Sequence, residues 1–284
     1  MRSASQIFQC PQRRILAILG GESGGLPAIY NRTCGLVSLR DVPLSRYGGK
    51  DMQTILRFLP FVSSIVSLVF AGLVLGRFAV RRVLHLFLWG IGLVFYGIGG
   101  FCEGYYGVFG WSPFVFRLWY LLGAVLVAAW LGQGTVYLLV KRPWAHALMI
   151  VLGVGSVYAA FRVFGAQLDP TLMTGGLHTG SELSGRAIVS SGVRSLTPFF
   201  NVYGTLTLVG GAAWSFAVFL RKRELLNRAV GNLLIAVGAI LPAFGGTFSR
   251  FGIPGALYIC ELVGAVLMFI GFLRAITPVK SRQG

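Results

Sequence analysis

The chain reads as an all-α protein, a polytopic transmembrane bundle of seven helices, and three observations predict it. Of its 284 residues 55% are hydrophobic and only 12% are charged, whereas about a quarter of a soluble domain is charged. Mean hydropathy is +0.75. Seven apolar stretches, at about 54–76, 82–103, 114–139, 144–165, 198–220, 229–249 and 255–276, each reach the roughly 20 residues that a helix needs to cross a hydrocarbon core of about 30 Å. None alternates as a barrel strand would, which leaves helices to satisfy every backbone group in lipid.

The orientation follows from where the basic residues fall. Net charge is +17, and the Lys and Arg residues lie in short runs beside the apolar stretches: Arg77, Arg81 and Arg82; Lys141 and Arg142; Arg221, Lys222, Arg223 and Arg228. With the tail, the links after helices 1, 3 and 5 hold twelve basic residues. Those after helices 2, 4 and 6 hold Arg117, Arg162, Arg186, Arg194 and Arg250. This asymmetry puts the amino end outside and the carboxyl end inside, with membrane lipid as the partner of the basic runs; nucleic acid is excluded as a partner.

The first 51 residues break the pattern. They carry seven basic residues, Arg2, Arg13, Arg14, Arg32, Arg40, Arg46 and Lys50, and placing these outside erases the bias. The apolar run Ile15–Leu19 is too short for a signal-peptide core. The expectation is that 1–51 is a mis-called upstream sequence with the true start at Met52, or else a disordered tail, and that 52–284 is the seven-helix domain. Its one long connection, 166–197, is rich in Gly, Ser and Thr and is assigned to the outer side, where a long loop is commonly functional or disordered.

Glycines mark the packing faces. Gly90, Gly97 and Gly104 recur every seven residues, as do Gly231, Gly238 and Gly245, and Gly264 and Gly271. Small residues at that period hold one seam of a helix against its neighbour, since lipid-embedded helices associate by close packing. Helices 2, 6 and 7 are therefore expected to pack tightly.

Two acids stand inside this pattern. Glu103 follows Gly99 by four residues and Glu261 precedes Gly264 by three, so both project toward the packed faces. An intramembrane carboxylate is expensive and marks a functional site by default. Arg117, Arg162 and Arg250 reach the same level, and Arg117 shares a stripe with Tyr120. The expected site is an outward-facing polar ligand pocket of Glu103, Glu261, Arg117, Arg162, Arg250 and Tyr120, the acids paired with arginines. The bland reading of the same residues is a set of ion pairs that only fixes helix register. Tyr105, Tyr106, Trp111, Trp119 and Tyr120 are assigned to an interfacial aromatic belt. Gln133, Asn201 and Asn232 read as interhelical hydrogen bonds, and Pro242 as a kink.

No metal or cofactor is implied. Cys102 and Cys260 each precede an acid, but no CxxC or HxxE spacing supports them with His178 as a metal site. Catalytic residues are equally without a motif: there is no GxSxG, HExxH or Walker loop, so the reading leans away from an enzyme.

Helices 2 to 4 (LWGIGLVFYGIGGFCEGYYG, FRLWYLLGAVLVAAWLGQGTVYLL) and 6 to 7 (RAVGNLLIAVGAILPAFGGTFSRFGIPGALYICELVGAVLMFIGFLRAI) resemble bacterial seven-helix integral membrane proteins of uncharacterised activity. More distantly they are similar to the seven-helix sensor module of some bacterial histidine kinases. The resemblance spans 52–276 and implies a multi-pass protein of the bacterial inner or plasma membrane, that is, the cell membrane. No kinase domain follows helix 7, so a sensor of this kind would signal through a separate membrane or signalling partner. The function expected is a binding or sensory module; the alternative is a transporter or permease subunit, which would need a polar path across the whole membrane.

Overall fold

The computed structural model describes residues 50–169, 171, 185–190, 192–221, 226–251, 253 and 255–276, the side chains of 50–53, 226 and 250 excepted. The tail up to residue 49 and, in the 166–197 connection, residues 170, 172–184 and 191, His178 included, lie outside the described residues. Everything described belongs to one unit, Pro43–Gly284.

Among the described residues seven helices are each long and apolar enough to cross a membrane: α1 Lys50–Arg81, α2 Leu84–Phe109, α3 Pro113–Leu139, α4 Arg142–Phe164, α5 Val193–Arg221, α6 Leu226–Arg250 and α7 Ala256–Ile276. Among the described residues no strand forms, and a lone antiparallel bridge joins Leu168 to Ile188. Local chemistry sets the boundaries. Gly110, at φ 84°, closes α2 with its N–H on the Tyr106 carbonyl, a left-handed conformation that glycine adopts without steric cost. Pro113 then opens α3 in the first turn, where a missing N–H is harmless. The start of α5 lies five residues before the expected 198, because Pro198 is carried inside the helix, leaving one carbonyl a turn earlier without its helical donor.

Six of the helices close a ring in the order α1, α2, α3, α5, α6, α7, with α7 returning to α1. The seventh, α4, lies outside it against α3 and α5, and its residues Val157 and Phe161 remain 71% and 83% exposed. The end where α1, α3, α5 and α7 begin is called here the amino side, the other the carboxyl side. Leu56 meets Gly255, and Phe70 stacks on Phe269 at 5.0 Å, so α1 and α7 run parallel.

The closest pairing is α6 with α7. A Cβ built on Gly238 would lie 2.7 Å from the Gly264 carbonyl oxygen, and one on Gly264 would lie 2.6 Å from that of Gly238. Gly231 and Gly271 repeat the arrangement at 2.7 and 2.6 Å, and Gly245 meets Cys260 Cβ at 2.6 Å. Any larger side chain would push these backbones apart. Pro242 sits in the same seam: it cannot donate to the Gly238 carbonyl, and that oxygen is the one facing Gly264. Helices α1 and α2 mesh differently. Side chains of Leu75, Leu68 and Phe61 on α1 occupy the space over Gly90, Gly97 and Gly104, and Ser64 Oγ donates to the Gly97 carbonyl at 2.7 Å.

Candidate functional site

The site is built on a mismatch between ring order and side-chain reach. Helix α1 separates α2 from α7 in the ring, yet these two are joined by long polar side chains inside it. Tyr96 and Glu103 are seven residues apart and share one face of α2. The Tyr96 hydroxyl donates to the main-chain carbonyl of Glu261 on α7 at 2.9 Å. Glu103, only 3% exposed, accepts at Oε1 from Trp119 Nε1 of α3 at 2.7 Å. The Glu103 and Glu261 carboxyl groups lie within hydrogen-bonding reach of each other. Glu103 Oε2 finds no N–H or O–H donor among the described residues.

The middle of α3 is what brings Trp119 there. Residues Tyr120–Leu126 form a π-helical segment, a widened turn that occurs often at functional sites. Inside it Gly123 lets α3 approach α2 so closely that a Cβ on Gly99 would lie 3.0 Å from Gly123 Cα. The loosened backbone is held from α5, where Asn201 Nδ2 donates to the Ala124 carbonyl at 2.9 Å. Nine residues further along, Gln133 is fully buried. It donates from Nε2 to the Ala145 carbonyl of α4 at 2.8 Å and accepts from the Tyr203 hydroxyl of α5. Asn232 bonds back to the Arg228 carbonyl of its own helix.

The arginines go elsewhere. Arg117 Nη2 donates to the Ala166 carbonyl just beyond α4 at 2.9 Å, and its buried Nε has no acceptor among the described residues. Arg162 Nη1 donates to the Tyr158 hydroxyl at 2.8 Å and lies over that ring. The side chain of Arg250 lies outside the described residues. Among the described side chains, then, no arginine pairs with either carboxyl, in contrast to the pairing expected from the sequence. The physical reason is position: Arg117 and Arg162 stand near helix ends, where a carbonyl beyond α4 and the Tyr158 side chain of α4 take the guanidinium.

Trp119 and Tyr120, read as interfacial, are interior, 8% and 4% exposed. Tyr120 shares a 2.8 Å hydrogen bond with Thr197 Oγ1 on α5. Trp111, Phe116 and Trp119 run ring to ring at 4.7 and 5.7 Å. With Cys102 and Tyr106 they leave no room for a water. Cys102 and Cys260 are free thiols, and no group of three metal-ligating side chains occurs among the described residues. Past α4, Asp169 Oδ1 accepts from the Thr171 amide and hydroxyl at 2.8 and 2.7 Å, which holds its carboxyl below the usual carboxylate range.

On the carboxyl side the ring encloses a cavity of ≈ 50 Å³. Its wall is mostly apolar, with Phe70, Leu93, Met268 and Phe272 prominent, and its polar contributions are Thr135, Ser215 and Asn232. Nothing in the sequence pointed to it, since its lining comes from six helices at no common spacing. Tyr96 was overlooked for a different reason: a single tyrosine in an apolar run carries no signal until its seven-residue offset from Glu103 is set against the glycine period.

No protein-family model, curated protein or solved structure matches the chain, so the reading of the site rests on its own geometry.

Proposed function

We propose that this multi-pass membrane protein is a binding or sensory module whose receptor element is the polar centre of Glu103, Glu261, Trp119 and Tyr96. With the amino side outside, the centre lies in the outer half of the membrane. One observation carries the preference over a permease. The polar centre is confined to the amino-side half, and the layer beneath it is Phe70, Leu93, Leu131 and Met268, which offers a permeating solute no polar step. Response then passes through helix packing to a separate membrane or signalling partner.

The test is reconstitution of the full chain into liposomes carrying a trapped pH dye and an alkali-cation dye. A binding module leaves both leaks at the level of protein-free vesicles under an imposed gradient. A flux that disappears in Glu103→Gln would overturn the reading in favour of a permease. In the same vesicles, a membrane-impermeant thiol reagent applied to Val189→Cys, exposed on the amino side, fixes which face that end occupies.

A further inference from the structure

We infer that Glu103 and Glu261 are a proton-binding site, holding one proton between two carboxyl groups and thereby latching α2 to α7 across the ring. The inference rests on the polar centre being the binding element, and names its ligand.

The argument starts from donors and acceptors. A deprotonated carboxyl group only accepts, so two carboxylates in hydrogen-bonding reach have nothing to exchange and repel at short range in a medium of low dielectric. With one proton the pair becomes O–H···O⁻, the short charge-assisted kind of hydrogen bond. The indole and phenol donors beside the pair are already engaged. Trp119 Nε1 is on Glu103 Oε1, and the Tyr96 hydroxyl is on the Glu261 main-chain carbonyl. Glu103 Oε2, on a side chain 97% buried, has no N–H or O–H donor among the described residues.

The titratable neighbours come from each packed helix. From α2 the titratable neighbours are Tyr96 and Cys102, and from α7 they are Tyr258 and Cys260. Helix α3 brings Trp119, its Arg117 being turned to Ala166. Helix α6 presents Gly238, Pro242 and Gly245 to α7. On α1, Arg57 packs its backbone on Gly107, a turn beyond Glu103. The α1 face toward α7, marked by Leu56 and Phe70, adds Ser63 and Ser67, buried hydroxyls without a hydrogen-bond partner among the described residues. The pair therefore carries net charge −1 with its proton and −2 without it. Loss of the proton replaces an attraction between α2 and α7 by a repulsion, so the ligand changes helix packing directly.

The experiment uses the full chain in lipid nanodiscs. Infrared difference spectra are taken while pH is raised from the acid to the alkaline range, alongside melting temperature, for the wild type, Glu103→Gln and Glu261→Gln. The wild type should show a protonated-carboxyl carbonyl band at neutral pH that bleaches on alkalinisation, with Tm falling over the same range. Each Gln variant should lose that band and its pH-dependent Tm. A Gln amide donates an N–H where the shared proton stood, so the latch stays closed at all pH values. Absence of the band from folded wild type at neutral pH overturns the proposal, and that measurement stands even where a Gln variant fails to fold. Unchanged Tm profiles in both Gln variants overturn it too. Sodium raising Tm at fixed pH would make the ligand a metal cation. Vesicle flux without proton sharing sinks this inference and the binding-module reading alike, whereas flux with sharing sinks only the latter.

Discussion

The two halves of the ring solve the same packing problem with different materials. On the amino side α2, α3 and α7 are held by identified atoms: an indole N–H on a carboxylate, a phenol on a main-chain carbonyl, one carboxyl against another. On the carboxyl side the same helices are held by volume, around a cavity of ≈ 50 Å³ walled largely by Leu, Phe and Met. Lipid gives helices little hydrophobic reason to associate, so packing and a few hydrogen bonds must suffice. The contrast implies that the amino-side half tolerates changes of size better than changes of chemistry, and the carboxyl-side half the reverse.

The largest expected effect tests the second clause. Leu93→Ala removes a buried side chain beside an existing cavity, and substitutions of this kind cost about 2–5 kcal/mol, at the upper end where the site cannot collapse. A Tm within the scatter of wild type would mean that the cavity wall is already slack. Trp119→Phe comes next. It keeps most of the aromatic volume but strands the Glu103 acceptor, at a cost of about 1–3 kcal/mol. Thermal unfolding together with the infrared signature of the carboxyl pair reads out both consequences, and a destabilisation without spectral change would reduce the indole to filler. The smallest effect has the opposite sign. Ala212→Val adds two methyl-sized groups to the cavity lining, worth about 1 kcal/mol of stabilisation if the space accepts them.

What the sequence made legible divides along the same line. Seven spans could be placed from apolar length alone, and the glycine periods identify residues that lie in the α6–α7 seam and under α1. Glu103 and Glu261 stood out because a carboxyl group in an apolar run is conspicuous. Their mutual approach was not legible, because it depends on α2 and α7 reaching past α1, a relation without a spacing. The same holds for the arginines. Composition put Arg117 and Arg162 at the right level, but which acceptor wins, a deep carboxylate or a nearer loop carbonyl, is decided by chain ends that a linear pattern does not display. The π-helical segment Tyr120–Leu126 has no residue signature at all; its apolar side chains fit a regular helix equally well.

That segment also bears on how the chain tolerates insertion and deletion. A π turn accommodates one residue more than the α-helical ladder around it, and the surplus sits between the part of α3 that carries Trp119 and the part that carries Leu131 and Thr135. A one-residue deletion inside Tyr120–Leu126 would restore regular winding and leave the two halves of α3 nearly in phase, because the wide turn has already absorbed the surplus. The indole would stay on the Glu103 side and the cavity wall would keep its lining. A change of length that would turn one half of a regular span against the other is, at this one place, absorbed.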